Sequence, residues 1–252
     1  MTLKFSIITA VKNDLKGLQE TFNSLHRQTV KDFEWIVIDA ASTDGTQEWL
    51  SKLDQNNINL KWISERDKGI SDAWNKGINL ASGDYVLILN AGDTYDETLI
   101  EKFSSCVRDE FITCCHTRLI SEYGDYLGLF KAHPKRLWRG MHLPHNWCCV
   151  PRKFYIKFGY YKLLPHSMDF EWFHRVFKIL GSSKFHVIDE ALGSYRLGGH
   201  SDINFQAGFF ANQSILQKNG MPSFLAWIIC NAYIAKHKWM KHSISVRKSH
   251  SA

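Results

Sequence analysis

Between Lys4 and Ala91, short apolar runs rich in β-branched residues alternate with segments of helical period, which leaves this chain few folds to choose from. KFSIITAV (4–11), EWIVIDAA (34–41), LKWISE (60–65) and YVLILNA (85–91) read as strands. LKGLQETFNSLHRQ (15–28), residues 45–54 and ISDAWNKGINLA (70–81) read as the helices between them, with Ser42-Thr43-Asp44-Gly45 as the turn that caps the second. Strands that are apolar along their whole length are covered on both faces. The expected architecture is therefore α/β, a mostly parallel central sheet with helices on both sides. Such sheets bind ligands beyond the C-terminal ends of their strands. The residues there are Asp39, Glu65 to Lys68 and Asn90 to Asp93, a polar and partly acidic set.

The second half is less regular. FITCCHTRLI (111–120) reads as a strand, EYGDYLGLF (122–130) as a hairpin arm, and a loop rich in His, Pro and Trp runs to residue 150. MDFEWFHRVFKIL (168–180) reads as a helix with acids in its first turn, where the helix dipole favours them. FHVIDEALGSYRL (185–197) returns as a strand, Gly198-Gly199-His200-Ser201 ends it, and the remainder reads as helical. A chain of 252 residues buries one good core. We expect one domain over residues 1–204 and a helical tail over 205–252.

The net charge of +6 is a property of that tail. Lys218, Lys236, Lys238, Lys241, Arg247 and Lys248 lie beyond Asp202 and no carboxylate does, whereas the rest of the chain is neutral. Such a segment favours an anionic surface. None of the six cysteines forms a C-x-x-C pair, which speaks against zinc or thioredoxin-like chemistry and for buried reduced thiols. The N-terminus shows no secretory signal, and no apolar stretch reaches the roughly 18 residues that span a bilayer, so a cytoplasmic location is expected.

A strand-first α/β chain suggests a nucleotide ligand, yet the common phosphate cradles are missing. TAVKND follows the first strand without G-x-G-x-x-G, and no P-loop motif occurs. The remaining route is a divalent cation, Mn2+ or Mg2+, held by one or two carboxylates with phosphate oxygens completing its shell. Asp93, just past the fourth strand, is placed for this.

The runs IITAVKND, VIDAASTDGT and SERDKGISDAWNKGINLASGDYVLILNAGD resemble glycosyltransferase family 2, most closely its bacterial branch that builds O-antigen, capsule and colanic-acid-type polysaccharides. The likeness continues through PHNWCCVPRKFYIKFGYY, where that branch usually has a His-Gln pair, and MDFEWFHRV, and ends near GGHS, covering roughly residues 4–202. It implies a GT-A fold, a nucleotide-sugar donor and inversion at the anomeric carbon. It also implies roles. Asp39 matches the aspartate that binds the donor base, and Asp44 a second nucleotide contact, although Asp44 also sits where a helix cap belongs. Asp67 and Asp72 lie in the segment flanking the diphosphate and sugar, with Lys68 and Lys76 as neighbours. Asn90-Ala91-Gly92-Asp93 occupies the place of the D-x-D motif but departs from it: Asn90 replaces the first acid and the last falls one position late. Asp93 then stands as the metal residue and Asn90 as a donor contact. Asp169 matches the general base, with Met168 where an acid is common, and Glu171 is the lesser candidate. Arg196 is placed to neutralise the leaving phosphate, and His200, beside a glycine pair that permits close backbone approach, to complete the metal shell or touch the diphosphate.

The 222–245 segment, apolar and then basic, suits lying in the interface of an anionic membrane, or else packing on the core or on a second subunit. In that branch acceptors are usually sugars on polyprenyl diphosphate. Nucleic acid is disfavoured, because no recognition motif accompanies the charge and the cleft is acidic. A nucleotidyltransferase would open with a glycine-rich loop, which is absent. A non-catalytic nucleotide-sugar-binding or scaffold protein would have little use for both Asp93 and Asp169.

Overall fold

The computed structural model describes residues 4–53, 58–121, 123–198 and 204–249, with side chains through Lys238. Strands β1 (Phe5–Val11), β2 (Phe33–Asp39), β3 (Leu60–Ser64) and β4 (Tyr85–Ile88) alternate with helices α1 (Leu15–His26), α2 (Thr46–Lys52) and α3 (Ile70–Leu80). These strands pair in parallel in the order β3-β2-β1-β4. Their register sets Val11 beside Asp39 and Asp39 beside Ser64, so the strands end together along one edge. The fourth strand is shorter than its apolar run: it ends at Ile88, Leu89 N still donates to Ile8 O, and the chain turns at Ala91 and Gly92. The second helix is likewise shorter than 45–54, starting after Gly45, whose φ of 93° a side chain would resist.

The second half adds β5 (Thr94–Tyr95), α4 (Leu99–Cys106), β6 (Ile112–Ile120), β7 (Tyr126–Phe130), β8 (Cys148–Pro151), α5 (Arg152–Phe158), α6 (Met168–Leu180) and β9 (Phe185–Arg196). Here the sheet is mixed. β8 pairs antiparallel with β4 and with β6, β9 runs parallel to β6, and β5 runs antiparallel to β9. Adjacent residues of the central strands face opposite ways, as the pleat requires. Ile8, Ile36 and Ile88 join Trp74, Trp172 and Phe173 on one face, while Ile7, Trp35 and Leu87 join Leu18, Leu50 and Phe103 on the other. Helix α3 approaches β1 closely at Gly77, where an added Cβ would lie 2.3 Å from the Ile8 side chain. Cys114, Cys115, Cys148, Cys149 and Cys230 are buried and all six cysteines are unpaired, as expected.

The tail forms α7 (Phe205–Lys218) and α8 (Ser223–Ser249). It is tied to the body through a small core of Phe170, Ile215, Leu216 and Ala226, and through the Tyr233 hydroxyl, which meets His142 Nε2. None of the described helices is long and apolar enough to cross a membrane.

Candidate active site

The first two loops at the strand ends are stitched by side chains. Asn13 N donates to Ser42 Oγ at 2.8 Å, and Thr43 N donates to Asn13 Oδ1 at 2.8 Å. Asn13 and Ala41 hold positive φ of 49° and 55°, conformations that side chains resist and that cluster at functional loops. Asp39 is fully buried at the end of β2. Its carboxylate accepts from Ser42 N at 3.1 Å and from Ser64 Oγ at 2.5 Å. Asp44 does the work of a double cap. It accepts from Leu15 N at 2.8 Å at the start of α1, and from Thr46 N at 3.2 Å and Thr46 Oγ1 at 2.6 Å at the start of α2. The Thr46 hydroxyl, ahead of the opposing partial desolvation, holds its pKa below the ordinary value. Asp72, in the first turn of α3, accepts from Lys68 N at 3.0 Å and lies 3.5 Å from Lys76 Nζ, which also pairs with Glu65. Asp67 accepts from Gly69 N within the same loop.

Asp93 is placed by the second half of the sheet. β5 follows it directly and pairs Thr94 with Ser194 of β9, which brings Arg196 N to Asp93 Oδ1 at 3.3 Å. β8 pairs Val86 with Val150 in antiparallel register; continued past the strand end, that register sets Asn90 opposite Asn146. Asn146 Nδ2 donates to Asp93 Oδ2, and Asn90 Nδ2 donates to Asn146 Oδ1 at 3.4 Å. The indole of Trp147 keeps this segment in place. It lies against Gly193, where a Cβ would fall 2.1 Å from its Nε1. Asp93 is 5% exposed, both its hydrogen-bond donors are neutral groups, and burial pushes its pKa up to about 7. The Arg196 guanidinium, expected near a leaving phosphate, pairs instead with Glu20 at 2.6 Å.

A buried carboxylate short of positive charge fits a divalent cation. Among the described residues no three His, Cys, Asp or Glu side chains converge on a metal site. Mn2+ or Mg2+ would therefore take Asp93 as its one carboxylate, with donor phosphates and water completing the shell.

Asp169 stands in the first turn of α6, behind Ser167, whose φ is 60°. Its Oδ1 accepts from Phe170 N at 2.8 Å, and burial raises its pKa. Glu171 is a different kind of acid. Lys162 Nζ lies 2.7 Å and Arg175 Nη2 3.1 Å from its carboxylate, so it is neutralised in place. Between Asp93 and Asp169 stands an aromatic cluster. The Trp74 ring meets His145 and Tyr161 edge-on with centroids 4.7 Å and 5.2 Å away, and His145 Nε2 lies 2.8 Å from Tyr161 Oη. Burial drives the His145 pKa down to about 3, so the ring is neutral. Burial raises that of Tyr161 well above its ordinary value, and the nearby charge of Asp169 adds to this.

Asp39, Asp44 and Asp72 thus line the first three loops, and Asn90, Asp93 and Arg196 meet across the strand ends. His200 lies outside the described residues. His145 and Asn146 were not singled out from the sequence, although they stand where the resembled branch has its His-Gln pair. Trp74 gave no signal beyond its place on an apolar helix face.

The fold, a sheet parallel over β3-β2-β1-β4 and mixed beyond it with acids along one edge, is the GT-A fold of nucleotide-diphospho-sugar transferases. A family model for glycosyl transferase family 2 matches residues 6–176, and the chain belongs to that family. An uncharacterized glycosyltransferase of Methanocaldococcus jannaschii is 29% identical over 205 residues, which span 76% of this chain and 70% of that protein. A PGL/p-HBAD biosynthesis glycosyltransferase of Mycobacterium bovis is 37% identical over 95 residues, only 37% of either chain. Among solved structures, S. aureus TarS 1-349 in complex with UDP-GlcNAc superposes with a TM-score of 0.68 at 17% identity, over 93% of this chain and 72% of that one. The mannosyltransferase PcManGT of Pyrobaculum calidifontis, solved with GDP-Man and Mn2+, gives 0.64 at 14% identity, over 99% and 75%. At these identities the likeness shows the fold alone.

Proposed function

We propose that this chain is an inverting, metal-dependent glycosyltransferase. In this reading it moves a sugar from a nucleotide diphosphate, a UDP-sugar, to a saccharide on polyprenyl diphosphate during synthesis of a bacterial surface polysaccharide. One observation carries the reading: two carboxyl groups with pKa values raised by burial, Asp93 and Asp169, are both tied to the cluster of Trp74, His145 and Tyr161, Asp93 through Asn146 and Asn90 to Trp74 and Asp169 through its charge on Tyr161.

Asp39 accepts the imide N–H of the uracil, with Asp44 and Asp72 holding the loops around the nucleotide and the sugar. Asp93 would hold the divalent cation, which when bound would supply charge neutralisation at the diphosphate. Asp169 takes the proton of the acceptor hydroxyl as its oxygen bonds to the anomeric carbon. The carbon–phosphate-oxygen bond breaks on the opposite side and its electron pair leaves with the nucleotide. A raised pKa makes Asp169 the stronger base so long as it is ionised. Glu171, held between two cations, is unsuited to this.

The tail suits a lipid-borne acceptor. We assign residues 205–252 as an appendage to the transferase domain 1–204, resting on the cytoplasmic face of the membrane. Ala226 and Tyr233 of α8 turn toward the body and Cys230 and His237 toward α7, while Phe224, Trp227 and Ile228 on the outer side are 69%, 58% and 50% exposed. Lys236 and Lys238 follow on the exposed surface. An outward apolar stripe ending in lysines matches an anionic bilayer surface. The Trp227→Ser/Ile228→Ser variant should sediment far less with anionic liposomes than wild type; equal sedimentation would leave the stripe to a second subunit.

Incubation with UDP-sugars, Mn2+ and a synthetic lipid-diphosphate N-acetylhexosamine should give a product whose anomeric configuration, read by NMR, is opposite to the donor's. A retained configuration, or transfer indifferent to chelation of the metal, would remove the mechanism.

A further inference from the structure

Asn90 stands where a D-x-D motif has an acid, and both ends of its amide are already in use. Trp74 Nε1 donates to Asn90 Oδ1 at 3.1 Å, Asn90 Nδ2 donates to Asn146 Oδ1 at 3.4 Å, and Asn146 Nδ2 donates to Asp93 Oδ2. The two ends of this series leave no freedom of direction. An indole N–H only donates and so fixes the series from the Trp74 end, and the Asp93 carboxylate, once ionised, only accepts at the other. Each amide between them has one accepting and one donating end, so both must point the same way. The backbones are pinned as well. Thr21 Oγ1 and Asp93 N both donate to the Asn90 carbonyl, and Tyr95 Oη donates to that of Asn146 at 2.7 Å. Asn146 is buried, so a reversed amide would set two acceptors face to face away from water.

We propose that Trp74, Asn90 and Asn146 form a one-way hydrogen-bond series that positions the Asp93 carboxylate, and that Asn90 is a member of this frame instead of a ligand to metal or donor. The proposal rests on the reading of Asp93 as the cation's carboxylate. It accounts for the departure from the acidic motif. An aspartate at 90 accepts from Trp74 but has nothing to donate to Asn146 Oδ1. Asn146 must then turn over, and its oxygen meets Asp93. Asn90 and Asn146 are therefore a matched pair, and the acid at 90 is excluded by its neighbour. The series also begins in the Trp74 cluster beside Tyr161 and ends at Asp93, so it joins the acceptor side of the site to the donor side.

The test has two arms on the full chain. In the metal-free protein, 15N spectra should show two side-chain amide pairs, those of Asn90 and Asn146, that exchange slowly with solvent. Trp74→Phe keeps an aromatic ring at the position and removes the N–H, and it should speed exchange at Asn90. Exchange of both amides at the free rate in wild type would overturn the series whether or not Asp93 binds metal. In the second arm, calorimetry of Mn2+ with UDP should show Asn146→Ala weakened by about ten-fold or more, the size expected for a partner that orients a metal ligand. Trp74→Phe should lose less, and Asn90→Asp should bind no more tightly than wild type. Wild-type affinity in Asn146→Ala, or tighter binding in Asn90→Asp, would overturn the positioning role. If slow amides persist while wild type binds no Mn2+, the reading of Asp93 fails and the series stands.

Discussion

The carboxylates of the first two loops and those of the reacting end are treated in opposite ways. Asp44 is saturated: the N–H groups of Leu15 and Thr46 and the Thr46 hydroxyl converge on it, while Asp39 is fixed in place by Ser42 N and Ser64 Oγ. Asp93 and Asp169 receive fewer donors than their burial demands, and their pKa values rise. A saturated carboxylate is a building element that fixes the shape of a loop. An under-compensated one keeps free energy available for a cation or a proton that arrives with the substrate.

The sharpest way to break that contrast is at Asp169. Asp169→Asn keeps the size and the hydrogen bond from Phe170 N but cannot take a proton. Steady-state transfer should fall by about 10²–10⁴-fold, the usual worth of general base catalysis, while donor affinity by calorimetry stays near wild type. Glu171→Gln should change turnover little, because its carboxylate is held by Lys162 and Arg175. Substantial turnover in Asp169→Asn would make the two ends of the site alike.

Asp93 sharpens the contrast through pH. Its folded pKa of about 7 lies above the unfolded value of about 3.9, so between those limits the folded state binds the extra proton. The metal-free fold should therefore lose stability as pH rises from about 4 to about 7, by a few kcal/mol from this group, and stay level above. Denaturation of the metal-free protein at pH 5.5 and 8.5 should show this loss as the difference between wild type and Asp93→Asn, wild type losing more stability over that interval than the variant. Mn2+ with UDP should stabilise wild type at pH 8.5 and leave the variant unchanged.

At Asp44 the expected effect is smallest and of the opposite kind. Asp44→Ala removes caps from two helices and should cost roughly 1–2 kcal/mol in denaturant unfolding. Because its pKa is lowered, its contribution is present above the unfolded carboxylate pKa and lost as pH falls below it. Loss of nucleotide affinity with unchanged stability would instead mark it as a ligand contact.

Much of this was legible in the sequence because it is local. Strands β1 to β4 appear as apolar runs, and Asp39, Asp93 and Asp169 each stand at the end or start of a periodic segment, where a side chain at a ligand-binding edge must stand. The register of β8 against β4 is not local. It joins residues some sixty apart and alone sets Asn146 beside Asn90 and Asp93, so the partner of the Asp93 carboxylate stayed hidden in an irregular loop. The tail was half legible: its apolar run and basic end could be read, but not that α8 carries apolar side chains on two opposite faces. The capping geometry of Asp44 was visible as one of two roles, and the structure shows it in full.

Gly193 carries a consequence for natural variation. It sits in β9, carries no side chain, and in a list of variants an alanine there would pass as conservative. Yet the new methyl group would meet the Trp147 indole and the Thr94 carbonyl, 2.4 Å away, at once. The indole would have to leave, and the residue beside it in the chain is Asn146. A lineage that lost its glycine here would lose the grip on Asp93 without changing a single residue of the site.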